Sequence, residues 1–234
     1  MDSGNTWSKV HKSEIMKRKK DELAPRTPPE GLSNLEDLTS VAAENLIAGI
    51  PLEESRARDI DLSRRNIPSL VAWNSVFDHV SFPGCRIPSF RLRDVRLVKC
   101  DLSNAVLHGF EATRVEFIGC RLTGMRAGKC RCHDVLFDDC DMRYAQVNDG
   151  EIRRSEFRAC RLEESDLSGT DLQGAIFTNV VLHRADLTRA KLRGTDLRGA
   201  EIEGITIQPE DLRGAIVNVA QAIDLARLLG VIIK

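Results

Sequence analysis

From Leu62 to Leu212 every fifth residue is apolar or Cys, without one insertion. The series begins Leu62, Ile67, Ala72, Phe77, Phe82 and ends Leu192, Leu197, Ile202, Ile207, Leu212, which makes 31 consecutive positions. A second series lies two residues before each of these and is mostly small or apolar, as at Val80, Cys85, Val95, Cys100, Ala105 and Ala185. The other three positions of each five are mainly polar, charged or Gly. A period of five fits neither regular element. A stripe with that spacing would spiral off one face of an α-helix, which turns about 100° per residue, and a flat strand alternates every two residues. Two inward positions per five fit a short strand-like step followed by a corner.

Longer-range columns predict how many such steps close a coil. Cys100, Cys120, Cys140 and Cys160 are spaced by 20, and so are Phe117, Phe137, Phe157 and Phe177, with Phe77 in the same column. Phe90 and Phe110 form another such pair. Like residues stacked every 20 positions imply four pentapeptides per coil. At the strand spacing of about 4.8 Å, the series makes roughly 8 coils and a rod about 37 Å long. The strings Ala185-Asp186-Leu187-Thr188-Arg189 and Thr195-Asp196-Leu197-Arg198-Gly199 fit the consensus A-(D/N)-L-x-x. On these residues the chain resembles the pentapeptide-repeat family over about residues 57–215. That resemblance implies an all-β fold, a right-handed quadrilateral β-helix with helical caps at both ends.

The flanks read differently. Residues 1–31 carry the basic run Lys17-Arg18-Lys19-Lys20 and a Pro-rich stretch from Pro25 to Pro29, and are expected to form a mobile polar tail. Residues 32–56 form an expected N-terminal cap. Ser33-Asn34-Leu35-Glu36 is a capping-box pattern, Leu35, Leu38, Ala42 and Leu46 follow at helical spacing, and Gly49 is a stop signal, so a helix is predicted over 34–48. Residues 216–234 form the C-terminal cap. Asn218 reads as an N-cap, Val219, Ala222, Ile223, Ala226 and Leu229 follow at helical spacing, and Val231-Ile232-Ile233 reads as a strand. Open solenoid ends expose apolar core and unpaired edges, which is why caps are expected. In many bacterial members of the family a similar apolar helix and strand support a dimer. The resemblance therefore makes Val219, Ile223, Ala226, Leu229, Val231 and Ile233 the candidate homodimer interface.

Charge and chemistry narrow the function. The 234 residues carry 34 basic and 35 acidic side chains, a net of −1, so no global field draws the chain to nucleic acid or an anionic membrane. No apolar run approaches the roughly 18 residues of a membrane span, and no secretion signal opens the chain; a cytoplasmic protein is expected. All seven Cys fall on inward positions, six of them in the small series and Cys132 in the other, where free thiols act as small hydrophobes. Cys130-Arg131-Cys132-His133 looks like a metal cluster, but the repeat points His133 outward. Sulfurs stacked about 4.8 Å apart are too distant for disulfides. His79, His108, His133 and His183 never differ by a multiple of 20 and sit on four faces. Gly124 to Lys129 is one residue short of a phosphate loop, and its glycines suit corners. No catalytic, cofactor or metal constellation emerges, so no enzyme is expected.

Outward charges alternate in sign along the rod. Arg91, Glu111, Arg131 and Glu151 alternate in one column, Asp171, Lys191 and Asp211 do the same further along it after one like-sign step, and Asp101, Arg121, Asp141 and Arg161 form a second face. Stacked neighbours of this kind pair across strands for about 0.2–1 kcal/mol each. Outward Val98, Ile118 and Leu136 fall on consecutive coils of the Phe face and form a candidate partner patch. The expected function is a rigid, non-enzymatic surface for a protein partner. The alternative implied by the resemblance is binding of a type II topoisomerase, DNA gyrase, by mimicry of DNA, with quinolone protection. DNA carries about one charge per 1.7 Å, or roughly 22 over such a rod. Residues 57–212 instead hold 23 basic and 24 acidic side chains.

Overall fold

The computed structural model describes residues 26–32, 38–228 and 230–232. From Leu52 to Ile216 the chain winds as a four-sided coil whose parallel strands pair with a shift of 20 residues. On one side Ala72 pairs with Leu92, Leu92 with Ala112, Ala112 with Cys132 and Cys132 with Ile152. On the next, Leu97 pairs with Phe117, Phe117 with Phe137, Phe137 with Phe157 and Phe157 with Phe177. The remaining two sides keep the same shift through single bridges, such as Asp101 to Arg121 and Arg126 to Gln146.

A left-handed φ recurs at nearly every fifth residue and makes the corners, as at Asp94 (54°), Asn104 (56°), Arg114 (52°) and Gly124 (64°). Asp, Asn and Gly tolerate that region better than other residues, which lose about 1–2 kcal/mol there. Gly124 thus takes the corner role that the sequence predicts. All of the 31 apolar positions are buried except Leu212, which is half-exposed. The inward series also runs two steps further back, through Ala57 and Leu52, both buried. Leu212 departs because Pro209–Leu212 closes the last coil as a 3-10 turn.

Inside, like stacks on like. Phe117, Phe137, Phe157 and Phe177 lie with ring centres 5.0, 4.9 and 4.7 Å apart and planes within 12° of parallel. That spacing is the coil rise itself, so the rings repeat without strain. Beside them Cys100, Cys120, Cys140 and Cys160 donate their thiols to the carbonyls of Phe77, Leu97, Phe117 and Phe137, at 3.3–3.5 Å. Thr170 and Thr195 make the equivalent bonds with hydroxyls, to Val147 O and Leu172 O. Gly150 takes the place of a side chain over Cys130; an added Cβ there would lie 2.7 Å from Cys130 Sγ and 2.9 Å from Val147 O.

The caps differ from expectation in detail. The N-terminal helix α1 spans only Ala43–Ile47. Thr39–Ser40 is instead a strand paired with Ser55–Arg56, and the predicted capping box at residues 33–36 lies outside the described residues. The ladder bonds offered by the first coil, Thr39 N to Glu54 O and Val41 N to Arg56 O, win over the helical apolar spacing there. Leu46 still plugs the first coil, 1% exposed, and Gly49 ends the helix at φ 69° against Pro68. The C-terminal helix α2 spans Val219–Leu228. Asn218 caps it as predicted, with Asn218 Oδ1 accepting from Gln221 N and Gln221 Oε1 from Asn218 N, both at 2.9 Å. Residues 231–232 form no strand, which corrects that expectation; they meet no free ladder, and residue 233 lies outside the described residues.

Candidate interaction surfaces

Residues 26–32, expected as free tail, instead lie along the outside of the rod as a strap. Thr27 N donates to Asp134 Oδ1 at 3.3 Å, and Glu30 N donates to Asp94 Oδ1 at 2.9 Å. These carboxylates are two coils apart, about 9.6 Å, which is the reach of a nearly extended tripeptide. Pro28 and Pro29 favour that extension and carry no N–H to satisfy. At one end Arg26 Nη2 meets Glu116 Oε1 at 3.1 Å, and both side chains are nearly buried. At the other, Gly31 turns with φ 75° and Leu32 is buried.

The strap rests on a column of corners whose charges alternate: Asp94, Arg114, Asp134, Arg154. Arg114 grips Asp94 through two bonds of 2.6 Å, and Arg154 meets Asp134 at 2.5 Å. Burial opposes the ionisation of Asp94, yet the Arg114 guanidinium and the Glu30 N–H outweigh it and hold the carboxyl below the usual carboxylate range. Arg96 shares Glu116 with Arg26, at 2.8 Å. One donor is left over: Arg26 Nη1 is buried without a hydrogen-bond partner among the described residues. Such a group costs about 1–3 kcal/mol. The column was legible as four residues spaced by 20. The sequence reading looked for alternation only at positions flanking the core, not at corners.

This strap changes the predicted patch. Val98 and Ile118 are register neighbours and half-buried. Leu136 pairs instead with Glu116 and is only 5% exposed. It is outside the core cluster within the coil, and Arg26 and Thr27 are anchored on Glu116 and Asp134 beside it. Val76, on the same column, is also buried, between Arg56 and Arg96 of the neighbouring coils. The three predicted residues therefore do not form one open patch, because the chain's own N-terminal segment occupies this corner.

The predicted charge columns pair in part. Glu111 bridges Arg91 and Arg131, at 3.5 and 2.6 Å, Arg121 meets Asp101 at 3.4 Å, and Lys191 meets Asp171 at 3.9 Å. Asp141 turns to Arg143 and Arg161 to Glu163, each two residues away on its own coil. Among the described residues no group of three or more His, Cys, Asp and Glu side chains is placed to hold a metal ion. All seven cysteines are free and buried. His79, His133 and His183 each lie beside a different acid, Asp78, Glu151 and Glu201. No helix among the described residues is long and apolar enough to cross a membrane.

At the C-terminal end, α2 turns Gln221 and Leu225 onto the last coil. Gln221 Nε2 donates to Leu197 O and Ala200 O, at 2.6 and 2.7 Å, closing the open edge. The sequence reading missed Gln221, although Asn218-x-x-Gln221 is itself a capping-box pattern. The apolar residues of the candidate dimer face point away. Val219 is 80% exposed, Ile223 37% and Val231 53%, and Leu228 and Ile232 are exposed beside them. Ala226 is half-buried, and Leu229 and Ile233 lie outside the described residues.

A four-sided parallel coil with five-residue sides defines the class of protein. The family model described as a pentapeptide repeat region matches residues 90–167, and that described as pentapeptide repeats (8 copies) matches residues 160–199. The chain carries pentapeptide repeats over residues 90–199, within the four-sided coil. Among solved structures it is similar to HetL of the cyanobacterium Nostoc sp. strain PCC 7120, a pentapeptide-repeat protein involved in heterocyst differentiation regulation. Identity is 16% over 70% of this chain and 87% of that one, with a TM-score of 0.28. It is also similar to full-length QnrB1, a plasmid-mediated fluoroquinolone resistance protein, at 19% identity over 76% of this chain and 100% of that one, with a TM-score of 0.30. A search of curated sequences returned no significant match.

Proposed function

We propose that the protein is a non-enzymatic interaction module that presents a rigid solenoid wall to a protein partner. The observation that carries this reading is the stacked interior: the middle coils are locked to one another by in-register strands, a Phe stack and a thiol column. Such a wall holds its outward side chains at fixed spacing, which favours docking with little ordering cost. Val98 and Ile118 offer its apolar spot. Capture from native cells by the full chain tests this directly. A double variant, Val98→Asp with Ile118→Asp, is expected to lose the captured protein while keeping the fold. Equal capture by both would move the partner surface elsewhere.

Binding of a type II topoisomerase is the narrower reading that the family brings. The near-neutral solenoid weighs against DNA mimicry by charge. Supercoiling by purified gyrase, with and without micromolar protein and quinolone, decides it: no change in either condition ends that reading. The exposed apolar face of α2, with Val231 beyond its end, supports a homodimer through Val219, Ile223 and Val231. Light scattering is expected to give twice the chain mass, falling to one chain mass for Ile223→Lys; a monomeric wild type would contradict the interface.

A further inference from the structure

The strap shows what chemistry the corner column binds, because it is itself a bound extended peptide. Asp94 and Asp134 each accept one backbone N–H, and Glu116 accepts a guanidinium. A proline pair bridges the two N–H groups. We propose that this column is a docking track for an extended segment of a partner protein, with an Arg followed closely by Pro-Pro, and that residues 26–32 are a displaceable resident that keeps the track closed. The proposal rests on reading the solenoid wall as a protein-interaction surface.

Three observations support displacement. Arg26 is an imperfect occupant, since its Nη1 is buried without a partner among the described residues, and a competing guanidinium that satisfies both nitrogens would gain by replacing it. Glu30 adds a second carboxylate to the Asp94 corner, where Arg114, 3.8 Å from Glu30, and Arg93, 3.6 Å from Asp94, are shared between the two acids. An open groove of about 800 Å³ runs beside the strap, lined by Glu30, Trp73, Arg93, Asp94 and Arg114. An incoming peptide can enter there and peel the strap off from its Glu30 end. The track beneath is prepared for this: its carboxylates are also held by Arg114, Arg154 and Arg96, none of which belongs to the strap.

The experiment uses the full chain and a fluorescent peptide with the sequence of residues 26–32. Arg26→Ala frees the strap and leaves the track intact. It is expected to bind the peptide at least tenfold more tightly than the wild type. Adding Asp94→Asn to Arg26→Ala is expected to remove that gain, and Arg26→Lys is expected to behave close to the wild type. In the wild type, saturating peptide is expected to speed hydrogen exchange at the Thr27 and Glu30 amides, which the strap protects. Equal affinity for wild type and Arg26→Ala would overturn the competition. Binding indifferent to Asp94→Asn, or none to any variant that melts like the wild type, would overturn the track. Dimerisation through exchanged straps would show as a second copy in light scattering that Arg26→Ala abolishes, and would replace the partner peptide by a copy of this chain. No cellular partner enters the titration, so its failure leaves the capture result standing.

Discussion

Phe137 is covered by copies of itself, with Phe117 5.0 Å below and Phe157 4.9 Å above. Leu225, at the C-terminal end, has no repeating neighbour; it reaches the last coil from a helix, and Gln221 beside it satisfies the carbonyls that another coil would have met. The middle of the rod is built by repetition and the end by substitution. Repetition locks a side chain from both directions, so removing one leaves a hole that neither neighbour fills. A cap is held on one side and relaxes on the other. The strap is a third case, held by charges on a surface that is complete without it.

The sharpest way to break this contrast is truncation. Phe137→Ala is expected to cost about 3–5 kcal/mol and Leu225→Ala about 2–3, in denaturant unfolding. Equal costs would mean that the cap packs as rigidly as the stack. Next, Gln221→Ala strands the Leu197 and Ala200 carbonyls and is expected to cost about 1–3 kcal/mol, with faster hydrogen exchange in the last coil only. Gly150→Ala, within the repeat, forces a Cβ to 2.7 Å from Cys130 Sγ and is expected to cost about 1–3 kcal/mol. Cys130→Ala in the same chain should recover part of it, the rest belonging to Val147 O.

Thiol chemistry sharpens the contrast inside the rod. In the column, the Cys120, Cys140 and Cys160 thiols are pushed up by the hydrogen bond to the thiol one coil below, with burial adding to it. Cys130 is lowered by a hydrogen bond from Cys132, which is itself raised by that bond and by burial. Iodoacetamide at pH 8 is expected to leave the column unlabelled in the native protein; whatever native labelling occurs should fall on Cys130, as read by peptide mass.

The smallest expected effect is on the strap. Asp94 has a folded value below its ordinary 3.8, so its contribution is present above that value and lost as pH falls through the lower one. Arg114, Arg93 and Glu30 face it. Hydrogen exchange should show the Glu30 amide losing protection below about pH 3.8, while the Phe117–Phe177 strands keep theirs.

The coil was legible because its rule is local and repeated. A five-residue period with 20-residue columns admits one closed arrangement, and it placed the seven cysteines inward and Gly124 at a corner. The caps were legible only where they carry a signature, as at Asn218 and Gly49. Residues 39–40 read as helix because the helical spacing of Leu35, Leu38, Ala42 and Leu46 around them was visible and the first coil's free ladder was not. The strap was hidden for the same reason. Pro25 to Pro29 beside charge reads as unstructured, and its partners Asp94, Glu116 and Asp134 lie 64–107 residues away. Composition describes what a segment cannot do alone, not what a distant wall does with it.

Native-state hydrogen exchange across the whole chain tests most directly whether a rigid wall carries a displaceable strap. Amides of Phe110–Ile118 and Leu136–Asp138 should exchange only by global unfolding, and those of Thr27 and Glu30 by local opening, orders of magnitude faster. Wall amides exchanging at the strap's rate would contradict the account.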